Sequence, residues 1–293
     1  MKIIVTGSLG HTGKPLANEL VNRGHLVTVI SSRPENRKSI EALGASPAIG
    51  SVEDISFLKG VFSGADAVFC MTPPKFSEPD QIRYYERIAN CYAGAISHSP
   101  IKRVVYLSSY GAHLESGTGF ITGSHKAEKI LNNLANIDLT HIRPTYFYYN
   151  LLGFIQMIKS AGFIGTVYGG EDRLAMVSPS DIAFAVAEEI TQVNNTAKVR
   201  YVTSDDRTCN EVALVLGRSI GITGLEWRIL PGKKVMQSLL ANGLSENAAM
   251  NLVELGSATH QGLLREDFDR NKPEFGKVSL EDFAQEFSAV YNQ

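Results

Sequence analysis

The sequence predicts an α/β fold, a doubly wound parallel sheet followed by a smaller, mainly helical unit, and three observations predict it. The chain opens on a short β-branched apolar run, Lys2 to Val5, that passes through a glycine turn into a helical stretch. A run of this kind suits a strand buried on both faces. Apolar runs and amphipathic stretches then alternate through Arg143, which implies right-handed crossovers and helices on both faces of one sheet. Beyond Ser204 helical periodicity takes over. Domains are therefore expected at residues 1–205 and 206–293, the second closing over the strand ends, where open α/β sheets bind their ligands.

With 293 residues the chain is long enough for one large domain and a smaller one. Its formal net charge of −2 gives no bulk attraction for nucleic acid or an anionic membrane. A small-molecule partner is expected, with no nucleic acid and no membrane, and the chain is expected to be a monomer or homodimer. Cys70, Cys91 and Cys209 are scattered and form no Cys-x-x-Cys pair, so neither a disulfide framework nor a zinc site is indicated, and a reducing cytoplasm fits. The opening apolar run is too short for a signal-peptide core, and no stretch is long enough to span a membrane.

The turn Thr6-Gly7-Ser8-Leu9-Gly10-His11-Thr12-Gly13 carries the first functional expectation. Glycines three apart permit positive φ, clear the Cβ from the path of a ligand and let the next helix pack close. The helix start offers unpaired N–H groups and the positive end of a dipole, which suits a pyrophosphate. Thr6, Gly7, Leu9, Gly10, His11, Thr12 and Gly13 are therefore candidate dinucleotide contacts, the competing reading being a glycine turn that only packs. Leu16, Ala17, Leu20 and Val21 mark one apolar helix face, and Gly24 its stop. His25 to Ile30 is the second strand and ends in Ser31-Ser32-Arg33-Pro34. An acid here would hold both ribose hydroxyls and select NAD, whereas an arginine pairs with the 2′-phosphate of NADP. Arg33, with Ser31 or Ser32 adding a hydroxyl, favours NADP(H) over NAD(H), against the alternative of a solvated arginine.

A helix over 35–43, a strand over 46–49 and a helix over 56–62 follow, then a strand over 67–71 that ends at Thr72-Pro73-Pro74. The prolines stop that strand and stiffen the loop where the nicotinamide side of a cofactor would lie, so Met71, Thr72 and Pro73 are cofactor candidates. Residues 80–97 form a long sheet-packing helix, and the fifth strand, 104–107, ends in Ser108 and Ser109. A glycine-rich loop over 115–123 feeds a helix from Ser124 to Leu134, whose Lys126 either reaches back toward the strand ends or is a solvated helix lysine. The sixth strand, 139–143, runs into Pro144-Thr145-Tyr146-Phe147-Tyr148-Tyr149-Asn150. Ser108, Pro144, Tyr146 and Phe147 join the cofactor candidates, and the aromatic run is either a pocket wall or helix-start packing. Helices are expected over 150–161 and from about 177 to 190, the latter capped by Ser178 or Ser180 with Asp181 at its positive end. A strand over 199–203, a helix over 210–220, a strand around Trp227 and two or three amphipathic helices complete the chain.

Taken together, Thr6-Gly7-x-x-Gly10-x-x-Gly13, Arg33-Pro34, Gly64-Ala65-Asp66-Ala67-Val68, Val105-Tyr106-Leu107-Ser108-Ser109, Arg143-Pro144 with Asn150, and Ser180-Asp181-Ile182 resemble the NmrA-like branch of the atypical short-chain dehydrogenase/reductases. Gly243-Leu244 through Gly262, Pro273-x-x-Gly276 and Ser279 to Phe283 are similar to that family's carboxyl-terminal pattern. The resemblance implies a Rossmann domain, usually with NADP(H), and members that reduce quinones, triphenylmethane dyes or related conjugated acceptors, beside regulators that bind the dinucleotide without turning it over. Two departures stand out. Standard relatives carry a Tyr-x-x-x-Lys pair, but no tyrosine here has a lysine four residues on, and Thr122 stands four before Lys126. Gly50-Ser51 replaces the usual Gly-Asp near the adenine.

Without a phenol at residue 122, ketone and sugar-carbinol chemistry is demoted, because a threonine hydroxyl is a poor acid. Hydride addition to a conjugated acceptor survives that loss, since charge spreads over the acceptor and water can supply the proton. Ser109 and Asn150 are expected to offer hydrogen bonds there, and Lys126 to hold the ribose or polarise an oxygen. His113 and His125 read as loop or surface histidines before proton donors. A cofactor sensor without turnover is the alternative; a sugar-nucleotide epimerase or dehydratase is a weaker one.

Overall fold

The computed structural model describes residues 1–75, 77–192 and 198–293. Strand and helix alternate through β1 (Lys2–Val5), α1 (Gly13–Asn22), β2 (Leu26–Ser31), α2 (Arg37–Ala42), β3 (Ser46–Ile49), α3 (Ile55–Phe62), β4 (Ala67–Met71), α4 (Gln81–Ile96), β5 (Arg103–Leu107), α5 (Ile121–Leu131) and β6 (Asp138–Pro144). There follow β7 (Tyr146–Phe147), α6 (Ile155–Ala161), β8 (Ile164–Thr166), β9 (Arg173–Val177), α7 (Pro179–Thr191), β10 (Val199–Val202), β11 (Asp205–Thr208), α8 (Cys209–Ser219), β12 (Trp227–Ile229), α9 (Gly232–Ala241), α10 (Glu246–His260), α11 (Arg265–Arg270) and α12 (Leu280–Tyr291).

Seven strands form one parallel sheet in the order β10-β6-β5-β4-β1-β2-β3, the Rossmann arrangement. The period of two along each strand divides the core. Ile3 and Val5 face α1 and α7, while Ile4 faces the layer of α3, α4 and α5. Chain order reverses between β1 and β4, so a crevice opens outside their carboxyl ends, the place where such sheets bind ligands.

A third apolar cluster joins Tyr148, Leu151, Ile155, Ile164 and Leu174 to residues of α8, Trp227 and α12. It draws on chain from both sides of residue 205, so the expected boundary there follows sequence order and not packing. Asp181 ties the units together. Its carboxylate accepts Lys277 N at 3.0 Å, Val278 N at 3.2 Å and the Ser204 hydroxyl at 2.6 Å, while Ser178 caps α7 by accepting Ser180 N. Among the described residues no helix is long and apolar enough to cross a membrane.

Several expected boundaries move. The helix expected from Ser124 starts at Ile121, because Gly123 is no loop residue: it lies where α5 meets α4, and a Cβ there would stand 2.9 Å from Tyr85 Cβ. The helix expected over 150–161 is a 3-10 stretch, Tyr148–Phe154, before α6 begins. Strands β7, β8, β9 and β11 were hidden, being two to five residues long and outside the large sheet. Four helices, not two or three, follow Trp227.

Candidate functional site

The glycine turn stands at the switch point. Gly7 has φ +88° and Ser8 has φ +55°, a left-handed pair that turns the chain sharply out of β1. Thr6 is buried below, its Oγ1 accepting Met71 N at 2.9 Å, so the ends of β1 and β4 are locked together. Met71 lies over Gly7, where a Cβ would stand 2.1 Å from its sulfur. Gly13 opens α1 so close to the turn that a Cβ would stand 2.3 Å from the Ser8 carbonyl oxygen. Thr12, at the cap position, makes no side-chain cap. The N–H groups of Leu9, His11, Thr12 and Gly13 donate to no described residue and surround the positive end of the helix. Four free amides beside glycines without Cβ atoms suit the two phosphates of a dinucleotide.

At the end of β2 the structure separates residues the sequence left together. Ser31 is buried and engaged: the Ser8 hydroxyl donates to it at 2.9 Å, Asn36 Nδ2 at 3.1 Å and Arg33 N at 3.2 Å. Ser32 and Arg33 remain exposed, and the Arg33 guanidinium has no ion pair among the described residues. Asn36, whose amide also donates to the Ser8 hydroxyl at 2.9 Å, was not legible as part of this corner. Its signal is only that an Asn follows the Arg-Pro step by two residues.

Around β4 and β5 the candidates meet different fates. Thr72 is buried, sharing a hydrogen bond with the Tyr106 hydroxyl at 3.3 Å, and Pro73 is half-buried in the loop beyond. Ser108 Oγ donates inward to Glu128 Oε1 at 2.5 Å. Ser109 Oγ, half-buried, donates to the Tyr110 carbonyl at 3.1 Å. Glu128 is clasped by Arg143 through two bonds, 2.9 and 2.7 Å, and Arg143 reaches on to the Tyr201 hydroxyl and Asp267, both at 3.1 Å. Burial opposes the Arg143 charge, but the Glu128 bonds overcome it and raise its pKa. This buried chain from β5 to α11 was not legible from spacing, although Arg143 belonged to the recognised pattern.

Lys126 is turned toward α4. Its reach toward the strand ends is taken up by Glu86 of α4, 3.1 Å away, in a half-exposed ion pair. His125 hydrogen-bonds the Ala112 carbonyl at 2.9 Å, and burial lowers the pKa of His113, so neither reads as a free acid at the surface. Asn150 is exposed on the 3-10 stretch.

The aromatic run splits by alternation. Tyr148 is buried in the third cluster, stacked on Phe283 at 5.3 Å, and Tyr146 turns inward to hydrogen-bond Tyr168. Phe147 and Tyr149 face the glycine turn instead, their rings stacked at 5.1 Å, with Tyr149 also stacked on His11 at 4.3 Å. Pro144 is buried, its carbonyl accepting Tyr110 N at 3.0 Å. A recess of about 970 Å³ lies elsewhere, along the outer edge of β10, and none of the glycine-turn residues lines it.

A left-handed glycine bend, free amides at a helix start and an aromatic wall at the switch point mark a doubly wound α/β protein of the Rossmann class. The pattern of the NmrA-like family matches residues 1–275, and the chain belongs to that family. It is 28% identical over 220 residues, 75% of this chain and 74% of the relative, to the (4-alkanoyl-5-oxo-2,5-dihydrofuran-3-yl)methyl phosphate reductase of Streptomyces griseus. Its fold is similar to triphenylmethane reductase from Citrobacter sp., with a TM-score of 0.82 at 18% identity over 99% of this chain and all of the other. It is similar also to the NADPH-dependent quinone oxidoreductase of Escherichia coli in complex with NADPH, with a TM-score of 0.81 at 21% identity over 97% and 99% of the two chains.

Proposed function

We propose that this chain is an NADP(H)-dependent reductase that passes hydride to a small conjugated acceptor, a quinone or an α,β-unsaturated carbonyl compound. The observation that carries the reading is the row of free amides at the glycine turn with the His11, Tyr149 and Phe147 rings stacked beside it. The amides of Leu9, His11, Thr12 and Gly13 would hold the linked phosphates, with Arg33 and Ser32 taking the 2′-phosphate in preference to NAD(H). Bound there, the dihydronicotinamide supplies the hydride. Met71, Thr72 and Pro73 on one side and Phe147 on the other would flank the nicotinamide end of the cofactor. Ser109 and Asn150 would orient the acceptor, and Lys126 would serve the ribose only on leaving Glu86. The helices after residue 205 would cover the acceptor from water.

The relatives support the reading in kind. The Streptomyces enzyme is, by its name, a reductase of a dihydrofuranone phosphate, and the Escherichia coli protein is a quinone oxidoreductase. The decisive experiment mixes the protein with NADPH and a panel of quinones, enones and dyes and follows nicotinamide absorbance. Acceptor-dependent oxidation is expected. Stoichiometric NADPH binding without oxidation by any acceptor would instead establish the sensor reading, which the threonine at residue 122 favours.

A further inference from the structure

A reductase must also deliver a proton, and the usual source is missing. Thr122 stands where the Tyr-x-x-x-Lys spacing would put a phenol, and its hydroxyl is shared with Thr118 at 3.3 Å. Several other tyrosine hydroxyls are spent. Tyr92 donates to the Met71 carbonyl at 2.7 Å, Tyr106 is shared with Thr72, Tyr148 donates to the Val278 carbonyl at 3.2 Å, and Tyr146 and Tyr168 hold each other. Tyr149 is not. Its ring is fixed on both faces, by His11 of the glycine turn and by Phe147, and its hydroxyl bonds to no described residue. Burial, and to a smaller degree Tyr85, opposes its ionisation. Tyr85 in turn packs on Gly123, the residue after Thr122. A phenol that bonds to no described residue therefore stands beside the glycine turn, on the stretch that follows β7.

We propose that Tyr149 is the proton donor of this reductase, supplying from the aromatic wall the phenol that α5 does not carry. The inference rests on the reductase reading above. Hydride and its electron pair pass from the reduced nicotinamide to the electron-poor carbon of the acceptor, whose π pair moves onto its conjugated oxygen. That oxygen takes the proton from Tyr149 Oη, and water reprotonates the phenolate. The nicotinamide is oxidised and the acceptor reduced by two electrons. Burial pushes the Tyr149 phenol up to about 12, so it is protonated, and able to donate, across the neutral range.

Tyr149→Phe keeps the stacked ring and removes only the hydroxyl. With an enone acceptor its turnover is expected to fall about 100-fold, the scale of one general acid, while NADPH affinity by fluorescence stays within twofold. A second readout needs no turnover. Titrated into the complex with NADP⁺, 4-nitrophenolate imitates the reduced acceptor's oxyanion, and its affinity should fall about 10- to 100-fold in Tyr149→Phe, the worth of a hydrogen bond to a charged group. Tyr85→Phe removes a second phenol that bonds to no described residue, on a ring that packs against Gly123 where α4 meets α5, and should stay within twofold in both. If the wild type reduces acceptors and Tyr149→Phe matches it, or if Tyr85→Phe carries the loss, the proposal is overturned and the reductase reading stands. If the wild type binds NADPH, reduces no acceptor and holds 4-nitrophenolate no tighter than Tyr149→Phe does, both fall together.

Discussion

Gly13 shows how little freedom the turn has. A Cβ there would meet a main-chain oxygen 2.3 Å away, and no rotamer relieves a clash with backbone. Gly13→Ala must push α1 off its amide row, so NADPH affinity by calorimetry should fall at least about tenfold, since roughly 1.4 kcal/mol of phosphate contact is enough for that. Arg33 carries a different prediction. Its guanidinium is exposed and unpaired among the described residues, so Arg33→Ala should leave stability within about 0.5 kcal/mol. It should weaken NADPH about 10- to 100-fold and NADH hardly at all, because only the 2′-phosphate pairs with it. Equal losses for both nucleotides would remove Arg33 from that role. The glycines and the arginine were legible in the sequence because each is demanded by local geometry or by one ligand group. Ser31 and Tyr146 were legible only as members of a stretch. Which of two neighbouring side chains turns inward is decided by partners distant in sequence, here Ser8 with Asn36 and Tyr168.

Among the elements, α5 departs most from its reading. Glycine ordinarily marks a loop, and Gly123 misplaced the start of the helix; the cause, Tyr85 on α4, lies 38 positions earlier and leaves no local trace. The same helix carries Glu128 into a nearly dry contact with Arg143. A buried pair adds little net stability, but removing one partner strands the other charge. Arg143→Met should therefore cost about 3–5 kcal/mol in urea unfolding. It should also loosen Ser108, whose hydroxyl would rest on an unclasped carboxylate. Loss of less than about 1 kcal/mol would mean that water reaches Glu128 and screens it.

At the scale of the whole molecule, the large sheet was legible because strand and helix alternate without interruption, whereas the second packing unit was not, being assembled from segments on both sides of α7. Asp206 of β11 helps hold that unit to α11. Its carboxylate is almost fully buried and meets Arg265 at 3.0 Å, Lys272 at 3.0 Å and Arg173 at 3.3 Å. Burial alone would raise its pKa, but Arg265 and Lys272 hold it down to about 2. A depressed carboxyl stabilises the fold above its unfolded pKa of about 3.9 and loses that contribution as pH falls toward 2. Urea unfolding should therefore show about 2–3 kcal/mol disappearing between about pH 4 and 2, and Asp206→Asn should remove that dependence while lowering stability at neutral pH. The third cluster has a consequence for synthesis. Leu174 and Met176 share it with Leu280, Phe283 and Phe287, so the ribosome must add about a hundred more residues before the early half of this core meets its last wall. At roughly 5–20 residues per second that interval is about 5–20 s, during which the amino-terminal sheet can already be folded while Trp227 and its neighbours stay open to chaperones. Nascent chains stalled before residue 280 should accordingly keep the sheet protected and leave this region open to protease.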